Sequence, residues 1–196
     1  MHTKKLEEFG ISIIGGQIIR RIEVENPEFE TVEDSSRKTV VAKTVGYGLI
    51  EEQNIVIKDY KNKVDDAKYT KKGDIVIKLS APYNAAYITE ENEDMLVSSF
   101  CAIIRSTEHI DPYFLLACLN SEFCQKQLIK SVSGALIGIL NSTKLKSLEI
   151  PFVNEQKQKE IGKLFKRTIE NKVTMQKILL LEEERINAFI EILGEE

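Results

Sequence analysis

Apolar residues follow two different periods along this chain. Up to residue 105 they form short runs, such as 11–14 and 75–77, bounded by glycine or polar turns, which is typical of buried strands. From residue 161 to residue 193 they recur at mostly three- and four-residue spacing, which is typical of a helix with one apolar side. The pattern therefore predicts an α+β domain followed by one long helix.

The first part of the chain is predicted to form a series of short strands. Gly73-Asp74 is a clear turn signal in front of one of them. Residues 4–9 form a short helical or extended lead-in, and 148–151 is a last extended piece with Pro151 at its edge. We expect strands at 11–14, 17–24, 39–45, 54–58, 75–77, 85–88 and 95–105.

Shorter helices are expected after residue 110. Asp111 is a good N-cap and Pro112 suits the first helical position, so a helix should follow them through residue 119. A second helix is expected at 122–131 and a short helical turn at 142–145. We therefore place a domain at 1–150 and the long helix at 151–196.

The last helix is too long to be only a cap on the domain. About 40 residues at ~1.5 Å each span ~60 Å, whereas a domain of ~150 residues is about 30–35 Å across. A projecting apolar stripe needs a partner. The alternative is a break near Asn171 and a folded-back hairpin. The residues expected to face the partner helix are Ile161, Phe165, Ile169, Leu179, Ile186, Phe189 and Leu193.

Charge is more informative locally than overall. The net charge of −4 argues against a protein that coats nucleic acid. Residues 58–78 nevertheless hold seven lysines against four aspartates, and 123–148 hold four lysines and no acid. These runs form either solvated faces or local phosphate contacts.

Cysteine usage and hydropathy bear on the compartment. The cysteines Cys101, Cys118 and Cys124 are odd in number and lack CxxC spacing, so we expect buried thiols in a reducing cytoplasm and no zinc site. No window of ~18 apolar residues predicts a membrane span.

Catalytic motifs are weak. His109 is the one histidine away from the N-terminus, and no GxSxG elbow accompanies it. No glycine-rich phosphate loop is present. Residues 26–29 are similar to an amino-methyltransferase tetrapeptide, and Asp59 with 66–68 to a nuclease metal site, but both lie in polar loops and lack the rest of such sites. We expect no enzyme, no cofactor and no metal.

Four stretches follow one another in a characteristic order. They are Gly73-Asp74-Ile75-Val76-Ile77; Ser98-Ser99-Phe100 leading to Ile104-Arg105, a Pro-Tyr-Phe-Leu helix and Leu119-Asn120-Ser121; Gly134 with Leu145-Lys146-Ser147-Leu148-Glu149-Ile150-Pro151; and Glu155-Gln156 with Ile161. Together they resemble one half of the specificity subunit of type I restriction–modification systems. The match covers roughly 70–170, with one extra residue before Ile161, and is only general in the N-terminal third.

The resemblance implies a DNA-recognition chain without chemistry of its own. Such subunits carry target-recognition domains that read short DNA sequences, and long helices that set the spacing and dock the methyltransferase (M) subunits, to which restriction (R) subunits can be added. A full-length subunit holds two domains and two antiparallel helices, whereas this chain holds one of each. Two copies paired as a homodimer would rebuild the full form and read an interrupted palindrome in double-stranded DNA.

Residues facing DNA can be nominated by their chemistry. Lysines are expected to position the chain on phosphates, and loop tyrosines, amides and hydroxyls to reach base edges. The first group is Lys58, Lys61, Lys63, Lys71 and Lys72; the second is Tyr47, Tyr83, Asn84, Ser133, Asn141 and Lys144. The alternatives are a coiled-coil interaction module without DNA binding, a small nuclease or methyltransferase, and a half gene product that acts only with another half.

Overall fold

The computed structural model describes residues 2–24, 36–60, 64–106, 109–133 and 138–194. Its strands are β1 Thr3–Lys5, β2 Ser12–Gly15, β3 Ser36–Val40, β4 Val56–Asp59, β5 Ile75–Lys78, β6 Ala85–Tyr87, β7 Leu96–Val97, β8 Cys101–Arg105 and β9 Glu149–Pro151. Its α-helices are α1 Pro112–Asn120, α2 Glu122–Val132, α3 Ser142–Lys146 and α4 Glu155–Gly194. The prediction of an α+β domain followed by a long helix is confirmed.

The centre of the domain is a four-stranded antiparallel sheet in the order β2-β8-β5-β6. A second sheet has the order β4-β3-β7, with β3 antiparallel to β4 and parallel to β7. A separate ribbon pairs β1 with β9. This ribbon ties the start of the chain to the segment that leads into α4.

The central sheet is buried on both faces. Ile75 and Ile77 of β5 pack with α1 and α2 in one core, whereas Val76 between them packs into a second core against the other sheet. β8 alternates in the same way, with Ile104 in the first core and Ile103 in the second. Burial on both faces explains why these strands form continuous apolar runs in the sequence.

The short helices begin at the predicted caps. The Asp111 carboxylate accepts a hydrogen bond from Phe114 N at 2.8 Å, with Pro112 as the first helical residue. The buried Asn120 side chain ends α1 by pairing with the backbone of Ala85, since Oδ1 accepts from N at 3.1 Å and Nδ2 donates to O at 2.9 Å. α1 is thereby fixed to β6, at the edge of the sheet.

The first turns of α4 pack closely on α1. Gly162 is buried there, and a Cβ at this position would lie 2.3 Å from Asp111 Oδ1. Gln158, also buried, accepts a hydrogen bond from Asp111 N at 3.1 Å. The small residue therefore lets the two helices approach each other, and Gln158 fixes their register.

The rest of α4 leaves the domain. Every residue from 171 to 194 is exposed, and the helix continues through Asn171, so the hairpin alternative is wrong. Leu179, Ile186, Phe189 and Leu193 lie on this exposed stretch. Ile161, Phe165 and Ile169 do not: they pack on the first core, so their assignment to a partner helix was wrong.

Some strand predictions were also wrong. Residues 17–24 form a bridge at Gln17 and a 3₁₀ turn at Ile19–Arg21, and the expected strand at 39–45 ends at Val40 before a 3₁₀ turn at Ala42–Thr44. The strand expected at 95–105 is interrupted between β7 and β8. At the two 3₁₀ turns the backbone bonds locally, from Ile22 N to Ile19 O and from Thr44 N to Val41 O, and alternating apolar residues do not exclude such turns.

Candidate nucleic-acid interface

Four segments without any Asp or Glu meet at one end of the central sheet. They belong to the stretches 10–22, 75–89, 95–106 and 123–148, none of which contains an acidic residue. Pairing of Gly15 with Ala102, and of Lys78 with Cys101, puts the ends of β2 and β5 beside the turn before β8. We call the residues 15–21, 78–84, 98–100 and 138–141 the acid-free end.

Backbone hydrogen bonds hold these segments side by side. Leu79 N donates to Phe100 O at 2.9 Å, and Leu140 N donates to Leu79 O at 2.8 Å. Gly16 N donates to Cys101 O at 3.1 Å, and a Cβ on Gly16 would lie 2.1 Å from Ser98 O. Only glycine lets the backbone of residue 16 come this close to Ser98, so Gly16 allows the two segments to lie side by side at this end of the sheet.

The acid-free end carries cations. Arg20 and Arg21 are exposed on the turn after Gln17, and Lys78 lies in the β5–β8 pairing. Lys68 reaches the same region, because its Nζ donates to Gln17 Oε1 at 2.6 Å. Asp65 and Asp66 accompany Lys68 on its turn, so a local positive potential in this chain of net charge −4 comes from Arg20, Arg21 and Lys78, whose segments contain no carboxylate.

The opposite end of the sheet is acidic. Residues 90–94 contain Glu90, Glu91, Glu93 and Asp94, and Lys72 N donates to Glu93 Oε1 at 2.7 Å. The Lys72 side chain forms an ion pair with Glu90, which raises the pKa of Lys72 and lowers that of Glu90. We call residues 71–74 and 90–94 the acidic end.

The Gly73-Asp74 signal has a structural role at the acidic end. Asp74 is 2% exposed, and its carboxylate accepts from Arg105 Nε at 2.8 Å and from Nη2 at 2.7 Å. It also accepts from Lys71 N at 2.8 Å. The hydrogen bond to Asp74 raises the pKa of Arg105. Arg105 is therefore used within the fold.

The nominated DNA-facing residues are not brought together. Asn84 and Asn141 lie at the acid-free end, and α3 carries Lys144 just beyond it. Ser133 ends α2, whose Val132 side chain lies 3.8 Å from a Cβ built on Gly138. Lys71 and Lys72 lie at the acidic end, Lys58 forms an ion pair with Glu23, and Lys61 and Lys63 lie outside the described residues.

One of these nominations was wrong. Tyr83 is 2% exposed, and its hydroxyl donates to Gly138 O at 3.1 Å, so it cannot reach a base edge. The Tyr47 ring lies 5.7 Å from the Phe165 ring of α4, and Lys172 Nζ lies 5.6 Å from the Tyr47 ring centre. Tyr47 is nevertheless 39% exposed, so its nomination stays a prediction.

Sequence reasoning missed Arg20, Arg21, Lys78 and Phe100. The nominated phosphate-binding lysines came from the lysine-rich stretch 58–78. Lys78 ends that stretch but was not nominated, whereas Arg20, Arg21 and Phe100 lie outside it. The sequence signal that could have found them is the absence of Asp and Glu from several separate segments. This absence indicates a cationic surface only when strand pairing brings the segments together.

A cleft of about 870 Å³ lies between α4 and the loop before β4. Tyr87 and Tyr113 stack at its wall, with ring centres 4.4 Å apart. Its lining holds two lysines, Lys166 and Lys172, against four carboxylates, so the cleft is net acidic and does not suit nucleic acid. The carboxylates are those of Glu51, Glu52, Glu91 and Glu170.

No group of three or more His, Cys, Asp or Glu side chains is placed to hold a metal ion within the part of the chain that the structure describes. Cys101, Cys118 and Cys124 are buried and free. Burial raises the pKa of the Cys101 thiol to about 12 and that of Cys124 to about 11, which makes both poor nucleophiles. Over the described ranges, no helix is both long and apolar enough to cross a membrane.

Comparison with protein families identifies the class. The family model described as the type I restriction modification DNA specificity domain matches residues 3–183. The chain belongs to this family, which confirms the resemblance drawn from the sequence and favours a recognition role over catalysis. A search of curated proteins found no match.

Solved structures share the fold. A chain from a structure on complex assembly and conformational transition of the type I R-M system is 15% identical, with a TM-score of 0.60 over 90% of this chain and 40% of that one. The HsdS subunit of Thermoanaerobacter tengcongensis is 14% identical, with a TM-score of 0.56 over 86% and 44%. The type I S subunit of M. genitalium is 16% identical, with a TM-score of 0.55 over 92% and 42%. This chain thus spans less than half the length of each.

Proposed function

We propose that the chain is a DNA-recognition module of a type I restriction–modification system, with one target-recognition domain at 1–150 and one spacer helix at 151–196. The observation that carries the proposal is the separation of charge within the domain. Residues 15–21, 78–84, 98–100 and 138–141, which contain no carboxylate, meet at one end of the central sheet, whereas Asp74 and the acidic residues of 90–94 lie at the other end. Such a surface attracts the phosphate backbone at one end only.

Recognition would take place through the acid-free end. Arg20 and Arg21 would contact phosphates, and Asn84, Asn141 and Lys144 would be near enough to reach base edges. The arginines would thus position the chain by charge, and the side chains of Asn84, Asn141 and Lys144 would provide sequence specificity.

The salt dependence of DNA binding tests this assignment. In the double variant Arg20→Gln with Arg21→Gln, the negative slope of log K against log salt should become less steep by about 0.9 for each phosphate that the variant no longer neutralises. The matched control is Lys71→Gln with Lys72→Gln, which removes the same charge at the acidic end. A larger change of slope in the lysine variant would reject the acid-free end as the DNA surface.

The exposed part of α4 would pair with a second copy. Its free stretch is long and apolar, and the chain spans about two fifths of the length of the type I complex chain and of the HsdS subunit. Two antiparallel copies would bury Leu179, Ile186 and Leu193 and place two domains about a two-fold axis, which suits a split symmetric target. Methyltransferase subunits, and restriction subunits in a complete system, would dock on the remaining helix surface.

Sedimentation of matched variants tests the pairing. Ile186 follows Leu179 by seven residues on nearly the same side of the helix, whereas Leu181 lies roughly 160° away around the axis. Leu179→Gln with Ile186→Gln should therefore yield monomers, and Leu180→Gln with Leu181→Gln should leave the dimer intact. A monomeric wild-type chain at micromolar concentration, on and off DNA, would exclude self-pairing.

A further inference from the structure

Phe100 is an exposed aromatic residue on a rigid turn. Its side chain is 61% exposed, yet the turn between β7 and β8 is held on both sides. Leu79 N donates to Phe100 O at 2.9 Å, Cys101 N donates to Ser98 O at 2.9 Å, and Ser99 N donates to Gln17 O at 2.7 Å. The backbone thus fixes the position of a phenyl ring that the domain itself does not bury.

Phe100 has exposed apolar neighbours at this end. Ile18 and Ile139 are also exposed, on two of the three other segments that meet there. A single exposed apolar side chain needs no explanation. Here, however, exposed apolar side chains come from separate segments and lie beside Arg20 and Arg21, and these segments contain no carboxylate. Such a surface suits a ligand that carries negative charge on its outside and apolar groups inside.

We propose that Phe100 enters the minor groove of bound DNA and partly unstacks one base step. This inference rests on the proposed DNA-binding function. Duplex DNA is such a ligand, and apolar wedges of this kind kink it so that more of the protein surface is contacted. Flexible pyrimidine–purine steps are kinked most easily, so Phe100 would contribute to specificity without a hydrogen bond to any base.

The test uses the full chain and duplexes of about 30 base pairs, the length of a typical bent site, enriched from a random pool by binding to the wild type. The variant Phe100→Ser removes the wedge, and Phe100→Leu keeps an apolar group. The matched control is Ile57→Ser, since Ile57 is 67% exposed on β4 in the other sheet. Affinity is measured over a salt series, and energy transfer between labelled duplex ends reports bending.

Phe100→Ser should weaken binding roughly tenfold, the effect typical of removing one stacking side chain, and should change the salt slope less than Arg20→Gln with Arg21→Gln does, because no charge is removed. At saturation it should also leave the duplex straight, whereas wild type and Ile57→Ser bend it and Phe100→Leu is intermediate. If Phe100→Ser binds and bends DNA as the wild type does, the wedge proposal is overturned while the DNA-binding proposal stands. If that variant in addition no longer captures a methyltransferase subunit in a pull-down, Phe100 is reassigned to a protein contact. Failure of the wild type to enrich any duplex would reject both proposals.

Discussion

The Asp74 carboxylate holds the Arg105 guanidinium through two hydrogen bonds, to Nε at 2.8 Å and to Nη2 at 2.7 Å. Asp74 is also bonded to the backbone of Lys71, so one buried carboxylate joins the turn before β5 to the end of β8. The most recognisable dipeptide of the sequence therefore stabilises the sheet at the end opposite the acid-free end.

Asp74→Asn should lower the free energy of unfolding by about 2–3 kcal/mol. The amide lacks the charge and one acceptor oxygen, which leaves a largely buried guanidinium under-bonded. Urea denaturation measures the difference. Glu91→Gln, an exposed change at the acidic end, should stay within about 0.5 kcal/mol of wild type. Equal stability of Asp74→Asn and wild type would contradict this role.

Gly162→Ala should destabilise the chain although alanine is the better helix former. The gain in helix propensity is about 1 kcal/mol, but the new Cβ would lie 2.3 Å from Asp111 Oδ1 and 3.0 Å from Phe114 N. Separating α4 from α1 should cost about 1–3 kcal/mol. Thermal unfolding measures the net effect.

Gly194→Ala is the control for this helix, because nothing lies within 4 Å of a Cβ at that position. Its stability should match or exceed that of wild type. A higher melting temperature for Gly162→Ala would show that α4 does not rest on α1 as closely as described.

The three cysteines should resist modification in the folded chain. All are buried, and burial raises the pKa of each thiol, to about 12 for Cys101 and about 11 for Cys124. Reaction with a disulfide reagent at pH 8 should therefore proceed only as fast as the chain opens. Rapid labelling of one thiol without denaturant would place that cysteine in a mobile region.

Stability should fall in alkali. A thiol whose pKa is raised in the folded state is neutral in both states below about pH 9, so its contribution is complete there. Between about pH 9 and 12 the unfolded chain ionises first and the free energy of unfolding drops by up to ~1.4 kcal/mol per pH unit for each such group. Tyr113, with its pKa raised by burial to about 12, adds to the same trend.

Denaturation at several pH values tests the alkaline trend. Cys101→Ala should flatten the slope by one group, since alanine fills most of the site without titrating. A slope that is identical in this variant would show that Cys101 does not contribute.

Part of the proposed interface could be predicted from the sequence. Asn141 and Lys144 were nominated and lie at or beside the acid-free end. Tyr83 was misassigned, because a loop position does not reveal whether its side chain is turned into the core. Lys71 and Lys72 were favoured for charge alone, and their acidic neighbours come from a segment some twenty residues away.

The sequence by itself determined the helices, the central strands and the class of protein. These features are encoded in neighbouring residues. They are caps such as Asp111, the apolar runs of β5 and β8 that are buried on both faces, and the helical spacing of apolar residues that continues along α4. The tertiary structure decided how α4 divides into a docked part up to Ile169 and a free part beyond it, and which segments meet at each end of the central sheet. Electrostatic potential depends on distances in space, so a charge pattern spread over four separate segments acquires its meaning only when strand pairing brings them together.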